Sequence, residues 1–285
     1  MFTLIDNFDD FKLLNSELLD KSCIGVDTEF RRTSRDNIRL SLIQINDSEE
    51  TYIVDCLKIN INDLDFSNSF LSSEKVMKVF HSCKEDIDAI YSWSKSDLTN
   101  LFDTQIANAI IGGALSVSYQ DLVLNELGVA IDKKETRSNW IKRPLSDSQL
   151  RYAASDVQFL LNLSNRFIKK LEFLNRQDWL TQEIELLFNN PLISTSDEIR
   201  NSSNLFTLNR IEENRLLEDF NKVVSRNSTE QNINKVLLFS KKNQKIFVKV
   251  VLSKGLKEAF KLIPKWKTDL LNEPISDLFN RKGLF

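Results

Sequence analysis

The sequence predicts an α/β fold, a mixed β-sheet flanked by helices, followed by a small, mostly helical C-terminal domain. Three observations predict it. Apolar runs of strand length crowd the first 55 residues, β–α alternation follows between 75 and 113, and helical spacing of apolar residues takes over from about 118.

Each element has a local reason. "FTLI" (2–5) reads as a short strand, and "DNFDDFKLLNSELLD" as a helix that Asp6 or Asn7 caps. "CIGVDTEF" is the next strand, followed by a polar connection, "RRTSRDN", at 31–37. Residues 38–45 and 51–55, joined by the turn-like "NDSEE", complete an antiparallel meander. "KVMKVF" (75–80) is a buried strand and "CKEDIDAIYSW" (83–93) a helix. "LFDTQIANAIIGG" is an extended piece running into a helix that Gly112 and Gly113 end. Residues 118–190 read as helical, with Ser146 as the N-cap of a long helix, "SDSQLRYAASDVQFLLNLSNRFIKKLEFL".

The stretch 190–204 is rich in Ser and Asn and carries Pro191, which divides the chain into a domain over 1–190, a linker over 191–204 and an accessory domain over 205–285. Within the last part, 205–225 is helical, 233–252 is ambiguous between strand and helix, and 254–271 is helical but interrupted by Pro264. Charge follows the same division. Residues 1–190 carry 21 Lys and Arg against 30 Asp and Glu, whereas 191–285 carry 17 against 11. The region 231–267 holds ten basic residues and one acid, Glu258. It fits either a polyanion-binding surface or a solvated Lys-rich face.

With 41% hydrophobic and 28% charged residues and no apolar run of bilayer length, the composition is that of a globular protein without a membrane span. The acidic start "MFTLIDNFDDFK" lacks a signal-peptide pattern, so a cytoplasmic location is expected. Three separated cysteines, Cys23, Cys56 and Cys83, fit neither a disulfide framework nor a structural zinc site.

Asp27 and Glu29 alternate within an otherwise apolar strand, so both point to one face. Buried carboxylates are costly unless paired or bound to a cation. Asp86 lies in the first turn of the helix after a buried strand, and Tyr152 and Asp156 stand four apart on a helix. Each piece alone has an ordinary reading: a solvated strand face, a helix cap, a half-buried ring beside an exposed acid. Together, four acids suit hard divalent cations, and two such ions about 4 Å apart clamp the oxygens of an in-line phosphoryl displacement. Tyr152 suits the orientation of the attacking water rather than a base, because a phenol ordinarily titrates near about 10.

"GVDTEF", "FHSCKEDIDAI" and "YAASDVQFLL", with "SLIQI", "LFDTQIA" and "TRSNWIKRPLSDSQLRYAASDV" between them, closely resemble the exonuclease domain of ribonuclease D. That family belongs to the tyrosine branch of the DEDD 3′→5′ exonucleases, which have an RNase H-like fold. The resemblance implies catalytic roles for Asp27, Glu29, Asp86, Tyr152 and Asp156. Two divalent ions, Mg²⁺ or Mn²⁺, would be held by Asp27, Glu29 and Asp156 at one position and by Asp27 and Asp86 at the other. Thr28 and Phe30 would lie near the terminal nucleotide. The histidine branch has a His five residues before the last Asp, where this chain has Arg151; His81 precedes Asp86 instead, and a structural or substrate-edge role is expected for it.

Arg137, Trp140 and Arg143 suit phosphate contacts and base stacking, or equally a core anchor with arginines paired to acids such as Glu135 and Asp147. Gln44 is an active-site polar contact or a satisfied, half-buried amide. The C-terminal part matches the helical nucleic-acid-binding (HRDC-like) domains of such proteins poorly, and one reduced, basic helical appendage is expected. The implied activity is a 3′→5′ exoribonuclease releasing nucleoside 5′-monophosphates from RNA 3′ ends, in precursor tRNA and small structured RNAs, with no obligate protein partner. The alternatives are an exonuclease acting mainly on DNA and a catalytically silent RNA-binding protein.

Overall fold

The structure, a computed structural model, describes residues 2–34, 37–61, 66–131, 138–200 and 208–284. The chain divides into two compact units, Met1–Gln105 with Ser116–Lys170, and Ile106–Leu115 with Leu171–Phe285. Among the described residues no helix is long and apolar enough to cross a membrane.

The first unit is built on β1 (Thr3–Ile5), α1 (Phe8–Leu19), β2 (Cys23–Ser34), β3 (Asn37–Asn46), β4 (Thr51–Asp55), β5 (Met77–Phe80), α2 (Lys84–Ser94) and β6 (Leu101–Asp103). The strands form one mixed sheet in the order β1-β4-β3-β2-β5-β6. β2, β3 and β4 make the expected antiparallel meander, while β1, β5 and β6 pair in parallel with β4, β2 and β5. The polar connection expected at 31–37 is largely strand. Arg31 pairs with Arg39 and Arg32 with Ile38 across the ladder, and Arg32 is tied to Asp88 at 3.0 Å. Its aliphatic stem and ion pair let a polar sequence continue a strand.

α3 (Thr104–Ile110) passes from the first unit into the second, and the chain returns with α4 (Tyr119–Leu127), α5 (Asp147–Ser155) and α6 (Leu160–Phe173). Ser146 caps α5 as expected and forms a reciprocal capping box with Gln149. The single long helix expected after Ser146 is instead two. Asp156 ends α5, and α6 begins only at Leu160. The backbone N–H of Phe159, freed by the break, donates to the Tyr119 hydroxyl at 2.9 Å. The junction packs tightly on β2: a Cβ on Gly25 would stand 3.0 Å from Leu160 Cβ and 3.3 Å from the Val157 carbonyl. A glycine permits that approach.

The second unit contains α7 (Gln177–Phe188), α8 (Pro191–Arg200), α9 (Arg210–Glu230), α10 (Lys235–Phe239), α11 (Lys241–Lys254), α12 (Leu256–Phe260) and α13 (Lys265–Arg281). Residues 106–115 join it through hydrogen bonds. Arg176 Nη1 donates to the Ile110 carbonyl at 2.9 Å, the Asn234 backbone N–H to Ala109 at 2.8 Å, and Asn234 Nδ2 to Gly113 at 2.9 Å. Where a linker was expected, α8 occupies Pro191–Arg200, with Pro191 in the first turn, the position where its missing N–H costs nothing. Residues 201–204 lie outside the described residues.

The ambiguous stretch 233–252 holds two helices, α10 and α11, and no strand. "IFVKVV" alternates like a strand, but Gln244, Phe247, Val248 and Val251 recur at helical spacing and are all buried. Asn234 and Ser240 cap the two helices by accepting from backbone N–H groups. The basic run 231–267 is therefore not a loose tail. Its apolar side, with Phe239, Phe247, Val250 and Phe260, forms the core of the unit, and Phe247 meets Phe220, Phe239 and Phe260 with ring centroids 5.2–5.7 Å apart. Pro264 interrupts the last helical stretch, as expected, by serving as the N-cap of α13.

Candidate active site

β2 lies between β3 and β5, but its parallel pairing with β5 ends at Gly25–Val79. Beyond that point the strand has no β5 partner, and the next residues are Val26, Asp27, Thr28 and Glu29. A register shift between Glu29 and Phe30 marks a β-bulge beside the acidic pair. Asp27 and Glu29 line a pocket of about 230 Å³ with His81, Tyr119, Gln120, Tyr152, Asp156 and Leu160.

Asp86 arrives from α2. Cys83, the N-cap residue, gives that helix no side-chain cap, and Ser82 sits in the left-handed region at φ 67°. Asp103, at the end of β6, supplies what is missing: its carboxylate accepts the backbone N–H groups of Ser82 (3.2 Å), Cys83 (2.8 Å) and Gln105 (2.8 Å). This holds the start of α2, so that the Thr28 hydroxyl donates to Asp86. Asp156 caps the C-terminus of α5, where the Tyr152 hydroxyl and Gln120 Nε2 (3.4 Å) donate to its carboxylate. Asp103, Tyr119 and Gln120 escaped the sequence reading. Asp103 stands in the quoted "LFDTQIA", where a strand-ending Asp before a helix was the available signal. Tyr119 and Gln120 carry no local signal, because their partners are about 40 residues away in α5 and the α5–α6 junction.

The electrostatics are those of an uncompensated cluster. Burial pushes the Asp27 carboxyl well above the usual range, and the charges of Asp86, Asp156 and Glu29 push it further. Glu29 is raised to about 9, first by burial and then by Asp156 and Asp86. Asp86 and Asp156 are each raised to about 7, mainly by burial, against the opposing hydrogen bonds from Thr28 to Asp86 and from Tyr152 and Gln120 to Asp156. Among the described residues no Lys or Arg makes an ion pair with any of the four. Nor do three or more acid, His or Cys side chains already close around a single ion. An open, oxygen-only set of carboxylates fits Mg²⁺, which takes one or two protein carboxylates and keeps several waters. A cation there would reverse the cost of burying these charges.

The remaining candidates fall differently. His81 lines the pocket, but its Nε2 donates to the Val117 carbonyl at 2.9 Å and its Nδ1 is 2.9 Å from the Thr104 hydroxyl. Both nitrogens are engaged, and burial lowers its pKa. It is placed as a strut in the wall. Phe30 is partly exposed, with the Arg32 guanidinium 5.9 Å from its ring.

For Trp140 and Arg143 the structure supports the second of the two readings, and for Gln44 it contradicts the second. Trp140 is 5% exposed, packed against Leu42, Ile53 and Ala153 with its ring 6.1 Å from that of Tyr152, so it anchors the core and offers no face to a base. The Arg143 side chain is 20% exposed, and its guanidinium is engaged within the protein. It grips buried Asp55 through two bonds of 2.6 and 2.7 Å and donates to the Trp140 carbonyl at 2.6 Å, clamping that loop onto β3 and β4. Gln44 is fully buried directly across from Asp27, and neither atom of its amide has a hydrogen-bond partner among the described residues, so it is neither half-buried nor satisfied. Arg137 and Glu135 lie outside the described residues.

Comparison with known proteins agrees with this geometry. Residues 2–172 match the family of 3′-5′ exonuclease domains designated DNA_pol_A_exo1. The chain is 38% identical over 160 residues to a ribonuclease D of Shewanella, covering 56% of this chain and 41% of that protein. It spans about half the length, or less, of the curated relatives it matches first. In structure it is similar to Escherichia coli RNase D, an exoribonuclease involved in structured RNA processing. There the TM-score is 0.62 at 24% identity, covering 99% of this chain and 75% of the other. It is also similar to Brucella melitensis NrnC with bound Mg²⁺, with a TM-score of 0.55 at 21% identity, covering 65% of this chain and 89% of that one. Four clustered acids gathered by a mixed sheet and two helices, and a family match over most of the unit that carries them, lead to one conclusion: the chain belongs to the 3′-5′ exonuclease family.

Proposed function

We propose that this protein is a metal-dependent 3′→5′ exoribonuclease that releases nucleoside 5′-monophosphates from RNA 3′ ends. The observation that carries the reading is a cluster of four carboxylates, Asp86 and Asp156 buried and Asp27 and Glu29 half-buried, with no ion pair to a Lys or Arg among the described residues, and three of them in one pocket with Tyr152. Asp27, Glu29 and Asp156 would hold one divalent ion, and Asp27 and Asp86 a second; Mg²⁺ or Mn²⁺ suits the oxygen donors. When bound, such ions supply a nucleophile at neutral pH and stabilise charge on the phosphoryl oxygens.

The chain's own residues do the rest. Thr28 orients Asp86 through its hydroxyl, and Gln120 orients Asp156. The Tyr152 hydroxyl, four residues before Asp156, is at the pocket wall to align the attacking water, and the Trp140 ring fixes its tilt from behind. Phe30, on the strand past the acids, is the apolar surface for the terminal nucleotide. The substrates proposed are precursor tRNA and small structured RNAs, acted on in the cytoplasm without an obligate protein partner. Residues 1–190 act as the exonuclease domain and 205–285 as a basic accessory domain.

The test offers 5′-labelled single-stranded RNA and DNA of one sequence, with Mg²⁺ or EDTA, to the wild type and Asp27→Ala. A metal-dependent ladder on RNA that the variant lacks is the expected result. Faster digestion of DNA, or digestion that survives the substitution, would refute the reading.

A further inference from the structure

The α5–α6 junction borders a second cavity, of about 680 Å³, also within the first unit. The acid pocket uses Tyr152, Asp156 and Leu160 from this junction; the second cavity uses the alternate residues. Arg151 and Ser155 from α5, Gln158 from the break, and Asn162 and Asn165 from α6 follow one another at intervals of four, three, four and three, and all five line it. None of its lining residues is Asp or Glu, although residues 1–190 are acidic as a whole.

The side chains of Arg151, Gln158, Asn162 and Asn165 make no hydrogen bond or ion pair with any described residue. Asn and Gln bring no charge to a solvent-facing stripe, and Asn is a poorer helix former than the Lys or Glu that such a face ordinarily carries. Phe2 and Phe159 add aromatic edges to the lining. The volume lies within the range of small-ligand sites. One unpaired guanidinium grips a phosphate in bidentate fashion, carboxamides pair with the donor and acceptor edges of a base, and phenyl rings cover its apolar faces.

From this lining we propose that the cavity beside the α5–α6 junction binds a ribonucleotide unit, with Arg151 on its phosphate and the Gln158–Asn162–Asn165 stripe on its base. It is a subsite separate from the acid pocket. Two sources share that chemistry: an internal nucleotide of the RNA strand and a free nucleoside monophosphate. The inference rests on the reading that this chain handles RNA. It does not rest on hydrolysis.

The test is run on the full chain in EDTA, where no cutting occurs. A short single-stranded RNA and 5′-AMP are titrated separately against wild type, Arg151→Ala, and the double variant Gln158→Ala/Asn162→Ala, with amide chemical-shift mapping and fluorescence anisotropy. All three residues are exposed, so the fold is expected to persist, and a thermal melt checks it. Either substitution is expected to weaken RNA binding about five- to tenfold, with shifts around Ser155, Gln158 and Asn162 on titration of the wild type. In a separate assay with Mg²⁺, hydrolysis of a dinucleotide, which occupies only the acid pocket, stays unchanged in both variants. Shifts with the RNA alone identify a strand subsite, and shifts with 5′-AMP as well identify a nucleotide site; both support the proposal. Unchanged RNA affinity in both variants, with no shift at the junction, would overturn it. That failure leaves an RNA ladder intact, whereas loss of the ladder with the junction shifts retained would count against the exonuclease reading alone.

Discussion

Two buried acid sites in this molecule contrast sharply. In the second unit Glu183 is 7% exposed, yet Lys267 Nζ lies 2.9 Å from its Oε1, 3.1 Å from its Oε2, and Trp266 Nε1 donates to it at 3.0 Å. Asp55 in the first unit is likewise gripped by Arg143. Asp86 and Asp156 are buried to a similar degree and Asp27 and Glu29 are half-buried, but the four face one another, and among the described residues their hydrogen-bond donors come only from Thr28, Tyr152, Gln120 and backbone. A carboxylate serving the fold comes with its own cation. On the proposed function the clustered carboxylates take their cation from solution, and the fold carries the repulsion until they do.

The most severe break of this contrast is substitution at its two centres. Asp27→Asn is expected to lower kcat by about 10³-fold or more while leaving the melting temperature in EDTA unchanged or higher, because a neutral amide ends the repulsion. Glu183→Ala should do the reverse: it strands a buried Lys267 and destabilises the protein by about 3–5 kcal/mol, with the RNA ladder retained below the new melting point. Thermal melts and turnover on one RNA, measured for both variants, check the pair. A destabilised Asp27→Asn would remove the distinction.

Titration sharpens the same contrast at smaller scale. Glu29 is raised to about 9 and Asp86 and Asp156 to about 7, so the folded state keeps protons that the unfolded chain has released. The unfolded state therefore binds fewer protons across this window, and stability in EDTA must fall as pH rises from about 5 to 9. Mg²⁺ binds the folded carboxylates and is expected to raise the melting temperature and flatten that slope. A melting temperature in EDTA that does not change with pH would contradict the assignment of these shifts.

The smallest expected effect concerns the basic unit. Lys241, Lys242 and Lys245 are exposed on α11, whereas deletion of 231–267 would remove core residues such as Phe247 and Val250. Reversing the three lysines to Glu is the cleaner experiment. RNA affinity should drop severalfold at low salt, with the difference shrinking as salt is raised, because each phosphate contact releases counterions. A salt-independent difference, or none, would show that this face is solvated only.

The sequence by itself determined the acid constellation and most of the local architecture. The alternation of Asp27 and Glu29, the helix-start Asp86 and the Tyr152–Asp156 spacing are local facts, and so are the Ser146 cap and the strand–turn pattern of the meander. Each depends on residues a few positions apart, which is the range over which periodicity and capping act. Tertiary structure alone decided partners. Arg143 reads equally as a phosphate ligand or a paired cation until Asp55, 88 residues earlier, takes its guanidinium, and Trp140 equally as a stacking platform or a core anchor until Leu42 and Ile53 cover it. Asp103 is an ordinary strand end until the uncapped start of α2 falls against it. The strand-like "IFVKVV" became helix because a buried face at helical spacing had a core to enter, and burial outweighs propensity. A free cation or an open aromatic face is defined by what the rest of the chain brings to it, and no window along the sequence contains that.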